Sequence, residues 1–560
     1  MSEATRVYGI DLGTTYSCIS YVDEHGKPCV VPNAEGQLTT PSVVYFESPD
    51  NIVVGNSAKE VASLYPDQVV STVKRFMGDP TWSFAHGSRE YTPQEISAFI
   101  LRKLVADAEV QVGSKISDVV ITCPAYFGLN QKEATKQAGQ LADLNVRYVI
   151  PEPTAAAVAY GMEQASSEEK TVVVYDLGGG TFDVTVLTIK EKAIHVICTG
   201  GDHQLGGKDW DRAIATWFAS QFSETCGVDI DRVLNDAETL QELLNAAETA
   251  KLALSSRATY KYRVQFEADR TTVELTRERF EELTADLLSR TMQLTDELLK
   301  VAESKGYGKV DTVLMVGGST YMPHIMQAVK AKFSCDVRQF DPNQAVAKGA
   351  ALFGFSCFLK ESVKNHVAGN AGVTGTEVDL DEVEESERRA AEERVAQDVG
   401  MTPTALANLA GTKVGNVSSK SFGVQILGKD GRTLQINNLI RIHDAVPCSI
   451  TRVYGTAENN RSAVTLRCFE NVLDVGPDDR YLDLDTSTEL GQVELRFSRP
   501  LPKGAPIAVT FELTEDGLLR LHGHDQTTDQ EVRAEFRTAA VLAPDELETR
   551  REQNMAIAVH

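Results

Sequence analysis

The first two thirds of the sequence alternate short apolar runs with longer segments in which apolar residues recur every three or four positions. The short runs predict buried β-strands and the longer segments predict amphipathic α-helices. The predicted strands are Val7–Ile10, Asp118–Cys123, Thr171–Tyr175, Val184–Ile189, Ile194–Thr199 and Thr312–Val316. The predicted helices are Pro93–Val110, Gln131–Asp143, Lys208–Phe222, Glu238–Leu254, Thr276–Glu303 and Asn343–Phe358. Such alternation is typical of an α/β domain, which we expect over residues 1–360.

A different pattern begins at residue 417, where short runs of alternating apolar and polar residues are separated by turn residues. These runs predict an antiparallel β sandwich over residues 417–542, with strands at Ser421–Leu427, Ser449–Tyr454, Ala463–Phe469, Gly491–Phe497, Ile507–Leu513, Leu518–His522 and Glu531–Phe536. Residues 361–416 are predicted to be an acidic insertion and interdomain linker. Its segment Glu377–Arg394 lacks a wide apolar stripe, which predicts a solvated helix that packs little core. Residues 543–560 predict one short polar helix beside the β domain.

Charge and composition narrow the function classes. The 55 Lys and Arg against 80 Asp and Glu give a net charge of −25, which argues against nucleic acid or a membrane as the main partner. Nine scattered cysteines without a Cys-x-x-Cys pair indicate reduced thiols. With no apolar run of about 18 residues and no signal-like segment, we expect a cytoplasmic protein.

Two similar turns follow predicted strands in the α/β region. Asp11-Leu-Gly-Thr-Thr and Asp176-Leu-Gly-Gly-Gly-Thr each place an aspartate at a strand end before glycines, and Gly317-Gly-Ser-Thr adds a third glycine turn. One such turn alone is typical of an ordinary hairpin, but three behind apolar strands favour a phosphate-binding cleft between two similar halves. No Gly-x-x-x-x-Gly-Lys-Ser/Thr loop is present, which excludes a P-loop enzyme.

The residue types in these turns suit a nucleoside triphosphate with Mg²⁺. Asp11 and Asp176 are candidate holders of hydrated Mg²⁺, which takes few carboxylates and keeps waters. Hydroxyls of Thr14, Thr15 and Thr181 are candidate partners of phosphate oxygens. Phosphoryl transfer mainly requires positioning and electrostatic stabilisation, so this set predicts a nucleotide site with hydrolytic capacity.

With these motifs assembled, the sequence resembles DnaK-type heat-shock protein 70 chaperones, within the actin and sugar-kinase superfamily. The resemblance is carried by Gly9-Ile-Asp-Leu-Gly-Thr-Thr-Tyr-Ser, Cys123-Pro-Ala-Tyr-Phe, Pro151-Glu-Pro-Thr-Ala-Ala-Ala, Asp176-Leu-Gly-Gly-Gly-Thr-Phe-Asp and, less specifically, Thr456-Ala-Glu-Asn-Asn-Arg-Ser-Ala-Val-Thr. It covers nearly the whole chain except about 361–414 and the tail. It implies an actin-like two-lobed nucleotide-binding domain followed by an all-β sandwich that binds peptides.

The resemblance also implies roles for individual residues. Asp11, Asp176 and Asp183 would organise Mg²⁺ and the attacking water. Lys74 would reach the γ-phosphate, and Glu152 would act with Pro124 in a switch. The implied catalytic set is Lys74, Glu152, Asp176, Thr181 and Asp183, and the implied ATP and ADP contacts are Gly13, Thr14, Thr15, Tyr16, Gly178, Gly179, Gly180, Gly206, Glu248, Lys251, Ser255, Gly317, Gly318 and Tyr321. Without the resemblance, Lys74 would be an ordinary surface lysine and the helix face of Glu248 a solvated edge.

In the β domain, the positions that match the family's peptide groove are apolar or aromatic. They are Val424, Leu427, Tyr454, Ala457, Val464 and Leu466. Such side chains grip an extended hydrophobic peptide by burial, together with backbone hydrogen bonds. The alternative is that the same residues are sandwich core, and for Val464 and Leu466 the sequence does not separate the two.

The sequence also departs from the family pattern. Tyr321 stands in place of an arginine that stacks on adenine, Asn343 in place of an acidic residue, and Lys132 in place of an arginine of the switch. The family's leucine-rich linker is replaced by Gly411-Thr-Lys-Val-Gly-Asn-Val-Ser-Ser-Lys, and the helical lid is absent beyond one short helix. The sequence leaves open whether ATP and peptide binding are coupled.

Two function hypotheses follow. The first is an ATP-dependent chaperone that binds extended hydrophobic peptides, driven by weak ATP hydrolysis, with a J-domain co-chaperone and a nucleotide exchange factor as partners. The second is a non-cycling regulatory relative that binds ATP without useful turnover and pairs stably with a J-domain protein at the ribosome. A sugar kinase of the same superfamily is disfavoured because the β domain has no role there.

Overall fold

A computed structural model of the chain describes residues 6–163, 167–371, 374–375, 378–380, 382–428, 430–476, 478–514, 517–536 and 542–560. Residues 377 and 381 of the predicted charged helix lie outside this set. Over the described residues the fold is mixed α/β with several sheets, as the sequence pattern predicts. None of the described helices is both long and apolar enough to cross a membrane.

The first lobe is built on a mixed sheet of six strands, in the order β11-β10-β1-β2-β3 with β4 paired to β2. The strands of this lobe are β1 Tyr8–Asp11, β2 Tyr16–Val22, β3 Pro28–Val30, β4 Thr40–Pro41, β5 Val43–Ser48, β6 Asn51–Val54, β7 Val69–Ser71, β8 Phe84–His86, β9 Arg89–Tyr91, β10 Asp118–Cys123 and β11 Asn145–Pro151. Its helices are α1 Asn56–Glu60, α2 Pro93–Val112, α3 Leu129–Leu141 and α4 Glu152–Glu163. Thr92 and Glu95 form a capping box at the start of α2, which explains why the helix begins there.

The second lobe is built on a sheet in the order β18-β17-β12-β13-β14. Its strands are β12 Lys170–Leu177, β13 Phe182–Lys190, β14 Ala193–Asp202, β15 Thr259–Phe266, β16 Asp269–Thr276, β17 Thr312–Val316 and β18 Asp336–Gln339. Its helices are α5 Gly207–Cys226, α6 Ile230–Asn235, α7 Ala237–Leu254, α8 Arg277–Leu283, α9 Ala285–Ser304, α10 Pro323–Lys332 and α11 Ala345–Ala371. The single helix predicted over Thr276–Glu303 is wrong, because Thr284 takes a non-helical backbone conformation that separates α8 from α9.

The two lobes repeat one arrangement of strands. In the first, the antiparallel hairpin β1–β2 carries Asp11 and lies beside the parallel strand β10. In the second, the hairpin β12–β13 places Asp176 directly opposite Asp183 and lies beside the parallel strand β17. The similar turns in the sequence therefore occupy equivalent positions in two similar halves.

The segment after α11 continues the nucleotide-side core. Helices α12 Glu385–Val399 and α13 Pro403–Ala410 pack against α11, which runs through the predicted boundary at residue 360. Ala391, Val395 and Ala396 of α12 are buried in the core cluster that contains α4 and α11. Of these three, only Ala391 belongs to the predicted charged segment Glu377–Arg394, whose other described residues are mostly exposed apart from buried Val378. The expectation that this segment packs little core is therefore confirmed over its described residues, and α12 docks mainly through Val395 and Ala396, which follow it.

The segment predicted as the linker forms a strand. Strand β19 Lys413–Val417 lies parallel to β14 and extends the sheet of the second lobe. Its far end pairs with β22 Ala445–Val446, so this sheet passes directly into the β domain.

The remaining strands form two sheets that share one hydrophobic core. One sheet has the order β25-β21-β20-β24-β26 and the other β23-β27-β28-β29. Their bounds are β20 Ser421–Leu427, β21 Leu434–Ile440, β23 Cys448–Gly455, β24 Arg461–Asn471, β25 Leu482–Asp483, β26 Thr488–Leu501, β27 Pro506–Leu513, β28 Leu519–Asp525 and β29 Gln530–Glu535.

The C-terminal tail returns to the first lobe. Helix α14 Pro544–Met555 packs near α2 and α3, and β30 Ala558–Val559 adds a parallel strand to β6. Arg550 pairs with the buried carboxylate of Glu95 at 2.8 Å. The helix predicted from this part of the sequence is present, but its predicted place beside the β domain is wrong. The edge of β6, Glu95 of α2 and Asp143 just after α3 provide its partners on the lobe.

Candidate functional site

The carboxyl ends of β1 and β12 open into a cavity of about 270 Å³ between the two lobes. Most of the nucleotide and catalytic residues expected from the sequence line this one cavity: Asp11, Gly13, Thr14, Thr15, Tyr16, Lys74, Glu152, Asp176, Gly178, Gly179, Thr181, Glu248, Lys251, Gly317, Gly318 and Tyr321. They come from positions as far apart as residues 11 and 321. The fold therefore gathers these groups around a single space.

Four of the expected residues do not line the cavity. Asp183 lies behind it, almost fully buried, and its Oδ1 accepts a 2.7 Å hydrogen bond from the backbone N–H of Ala125. Gly180 and Gly206 pack backbone to backbone beneath the cavity wall. Ser255 donates its hydroxyl to the carbonyl of Lys251 at 3.0 Å, which gives it a local role at the end of α7.

Glycine is required where the hairpins meet. A Cβ at Gly179 would stand 2.1 Å from Oγ1 of Thr15, so the second hairpin can lie against the first only without a side chain there. Gly317 has φ +83°, a left-handed conformation, and a Cβ there would stand 2.5 Å from Oδ1 of Asp176. These glycines bring backbone N–H groups of three turns close to the cavity.

At the inner end of the cavity, four carboxylates surround one cation. Lys74 and Glu152 are both buried and form an ion pair. Burial alone would lower the pKa of Lys74, but Glu152 and Asp11 raise it above its ordinary value, so the ammonium is stable. Burial and the charge of Glu152 raise the pKa of Asp11 to about 7, and they raise the pKa of Asp176 and Asp183 as well.

This donor set fits a hydrated Mg²⁺. Oδ2 of Asp183 is buried without a hydrogen-bond partner in the structure. Three buried or partly buried aspartates, Asp11, Asp176 and Asp183, lie near one buried lysine, so the negative charges outnumber the positive charge. A divalent cation would supply the missing positive charge. The described residues contain no cluster of three ligating side chains. Mg²⁺ usually keeps several of its waters and takes one or two carboxylates, which Asp11 and Asp176 would provide.

The outer end of the cavity carries a charged network on α5 and α7. Lys59 of α1 bridges to Glu248 at 2.7 Å and to the hydroxyl of Tyr16 at 2.9 Å, so it crosses from the first lobe to the second. Lys208 reaches the other oxygen of Glu248 at 3.2 Å. Burial would raise the pKa of Glu248, but Lys208 and Lys59 outweigh it and lower the pKa to about 2.

Sequence reasoning missed several members of this network. Lys208 directly follows the pair Gly206-Gly207 at the start of α5, a motif that could have indicated it. Asp211, one turn on, forms an ion pair with Lys251 at 2.7 Å and also lines the cavity. Lys59 has no motif around it, and only the closure of the lobes reveals its contact.

A short segment after β10 links the cavity to the β domain. It begins at Ala125, whose N–H holds Asp183, and continues to Phe127, whose carbonyl accepts a 2.8 Å hydrogen bond from the hydroxyl of Ser419. The next residue, Gly128, lets the buried carboxylate of Glu470 approach to within 2.9 Å of where a Cβ would be. The backbone of residues 125–128 therefore contacts Asp183 at one end and Ser419 and Glu470 of the β domain at the other.

The expected peptide-groove positions divide into two groups. Val424 and Leu466 are buried in the shared core of the two sheets, as the alternative reading of a sandwich core predicts. Leu427 and Ala457 are exposed, and Val464 and Tyr454 are half-buried, with the Tyr454 hydroxyl donating to Asn437 at 2.7 Å. Leu427 lies opposite exposed Leu434 at the tip of the β20–β21 hairpin.

A family comparison agrees with these features. The sequence model of the family described as Hsp70 protein matches residues 7–365 and 404–560. The matched part includes both lobes, the β domain and the tail; the expectation that the tail lies outside the resemblance is wrong. The unmatched segment, residues 366–403, contains all of α12. Members of this family are chaperones that typically bind nucleotide with Mg²⁺. The chain belongs to the Hsp70 family.

Proposed function

We propose that this protein binds Mg·ATP between its lobes and hydrolyses it slowly as part of a chaperone's work on extended hydrophobic segments. The observation that carries the proposal is the convergence of three glycine turns, the acid cluster and Lys74 on one cavity. In this proposal Asp11 and Asp176 hold the ion through its waters, and Lys74 stabilises charge on the γ-phosphate. Asp183 and Thr181 would position water.

The peptide-binding part of the proposal rests on the hairpin tip formed by Leu427 and Leu434. Both side chains are large, apolar and exposed, and they face the same end of the β domain. Exposed apolar side chains beside strand ends suit a peptide that is gripped by burial and by backbone hydrogen bonds. Because Val424 and Leu466 are already packed in the core, the proposed contact surface is shallower than the groove expected from the resemblance.

Single-turnover hydrolysis of ATP, with and without a J-domain protein, tests the nucleotide part. We expect slow hydrolysis by the unaltered chain, and we expect Lys74→Ala to retain nucleotide binding and lose hydrolysis. Lys261→Ala, on the exposed β15–β16 hairpin, is the matched control and should behave as the unaltered chain does. Equal rates for the chain and Lys74→Ala would contradict the catalytic assignment.

A second candidate, the non-cycling relative that binds ATP and pairs stably with a J-domain protein, is favoured by one observation. The β domain is attached at both ends, through β19 to the second lobe and through the tail to the first. Attachment at both ends restrains movement of the β domain relative to the lobes, and a chaperone that cycles with ATP needs such movement. Tight Mg·ATP binding without measurable turnover in the same assay would select this candidate.

A further inference from the structure

A second cavity, of about 750 Å³, lies where the first lobe, α11, β19 and the β domain meet. It is separate from the nucleotide cavity, because no described residue lines both cavities. Its volume falls within the range of about 300–1,000 Å³ that is usual for small-molecule sites. Nothing in the proposed function uses this space.

The lining of this cavity is strongly cationic. Among the described residues it carries five basic side chains and one acidic side chain: Lys132, Arg147, Lys360, Lys364, Lys413 and Glu361. The excess of four positive charges stands in a chain whose net charge is −25. A lining with the composition of the whole chain would contain more acidic than basic groups. The charge of this cavity lining is therefore opposite in sign to the net charge of the protein.

The positions of these groups bring like charges together. Lys360 and Lys364 stand one turn apart on α11, a spacing at which two positive charges repel, and the ammonium of Lys360 donates to the carbonyl of Thr412, which leaves its charge unneutralised by that contact. Arg147 forms a 2.6 Å ion pair with Glu361, and this pair engages the one acidic side chain among the described lining residues. Lys132 lies at the start of α3 on the opposite side, near the turn at Gly517 of the β domain. An anion between α3 and α11 would relieve this repulsion.

We infer that this interdomain cavity is a binding site for a small polyanion that carries several phosphate or carboxylate groups. Lysine ammonium groups serve as point-charge donors for such oxygens. The cavity is bounded on four sides by different parts of the fold, which favours a compact molecule over a protein surface. The bound anion would contact both the nucleotide side and the β domain, and would hold them together.

Calorimetric titration of the full chain with inositol hexakisphosphate tests the inference. The nucleotide cavity is first filled with Mg and a non-hydrolysable ATP analogue, so the result does not depend on hydrolysis. We expect one site, an affinity that falls as salt rises, and a loss of at least about tenfold in Lys364→Glu and in Lys132→Glu. Lys261→Glu, far from the cavity on an exposed hairpin, should bind as the unaltered chain does.

Each other outcome overturns the inference. Absence of binding, or equal affinity in the chain and both cavity variants, excludes the site. Equal weakening in Lys261→Glu shows diffuse attraction to an anion. A hexaglutamate peptide is titrated in parallel, and tighter binding of this peptide would assign the cavity to an acidic peptide segment. Lys364→Gln, which removes one charge without reversing it, should give a smaller loss and guards against misfolding of the reversed variants.

Discussion

Nη2 of Arg75 in the first lobe lies 2.6 Å from Oδ2 of Asp209 in the second, and this ion pair spans the nucleotide cleft. Nε of the same arginine donates to the carbonyl of Gly180 at 2.9 Å, so one side chain holds both the glycine turn and the start of α5. Both partners are mostly buried. The pair therefore closes the lobes over the space in which we propose that nucleotide binds.

We predict that Arg75→Ala speeds nucleotide release. Loss of a partly buried, charge-assisted pair of this kind corresponds to about 1–2 kcal/mol, or roughly 5–30-fold in the release rate. Stopped-flow release of a fluorescent ADP analogue measures the effect. Arg279→Ala, which breaks an exposed pair with Glu282 on α8, is the control and should leave release unchanged. An unchanged rate in Arg75→Ala would show that the pair does not restrain the cleft.

A second prediction concerns peptide release. No described helix covers the tip formed by Leu427 and Leu434, because α14 lies on the first lobe. We therefore expect a fluorescent hydrophobic peptide to leave quickly, and ATP to change its release rate only weakly. Leu427→Asp should abolish binding, whereas Val472→Asp, at another exposed apolar position, should not. Release that is slow in ADP and about 100-fold faster in ATP would contradict the prediction.

The third prediction is a pH dependence at the contact between the second lobe and the β domain. His443 accepts a 3.4 Å hydrogen bond at Nδ1 from the N–H of Thr199, and its carbonyl accepts from Lys305. Burial, with a smaller contribution from Lys305, lowers the pKa of His443 to about 4, although Asp474 acts in the opposite direction. An unfolded histidine has a pKa of about 6.5, so the unfolded state binds more protons between these values. Stability at this contact should fall as the pH decreases from about 6.5 through 4.

Hydrogen exchange at the Thr199 amide between pH 7 and 4.5, corrected for the intrinsic rate, measures this dependence. We expect His443→Asn to flatten it, since asparagine tolerates the positive φ of 68° at this position. His324 also has its pKa lowered to about 4 by burial, but it lies on α10, away from the interface. His324→Gln should therefore leave the exchange profile of Thr199 unchanged. The same pH profile in His443→Asn as in the unaltered chain would assign the effect to other groups.

The last prediction concerns the tail. Arg102 of α2 donates to the carbonyls of Asn554 and Ile557, and with Arg89, which donates to the side chain of Asn554, it links the lobe to the turn that precedes β30. We expect Arg102→Met to raise hydrogen exchange at the Ala558 and His560 amides by roughly 5–30-fold, because two buried carbonyls lose their donor. Lys103→Met, the neighbouring residue that pairs within its own helix, is the matched control. Equal protection of these amides in both variants would show that β30 is held by its strand pairing alone.

The sequence by itself determined the parts of this protein that depend on local pattern. The aspartates and glycines at residues 11, 176 and 317 follow apolar strands, and the ends of the neighbouring strands β12 and β17 lie side by side in one sheet. Asp11 ends β1 of the other sheet, and only the packing of the two lobes brings it to the same cavity. The similarity of the two turn sequences likewise indicated that the two lobes are similar. The resemblance to the Hsp70 family was carried by short motifs that include the turns at Asp11 and Asp176, and the match of the family model over residues 7–365 and 404–560 confirms it.

Tertiary structure alone decided the long-range contacts. Lys59 reaches Glu248 across 189 residues, and Arg550 of α14 reaches Glu95 across 455 residues, with no motif to indicate either pairing. Alternating apolar positions on a strand fix which residues share a face, but not which face another sheet covers. For Val464 and Leu466 the sequence therefore did not separate groove from core, and only the packing of the second sheet buries Leu466 in the core and leaves Val464 half-buried. The physical reason is that a side chain's burial depends on what docks against it, and docking is a property of the whole chain.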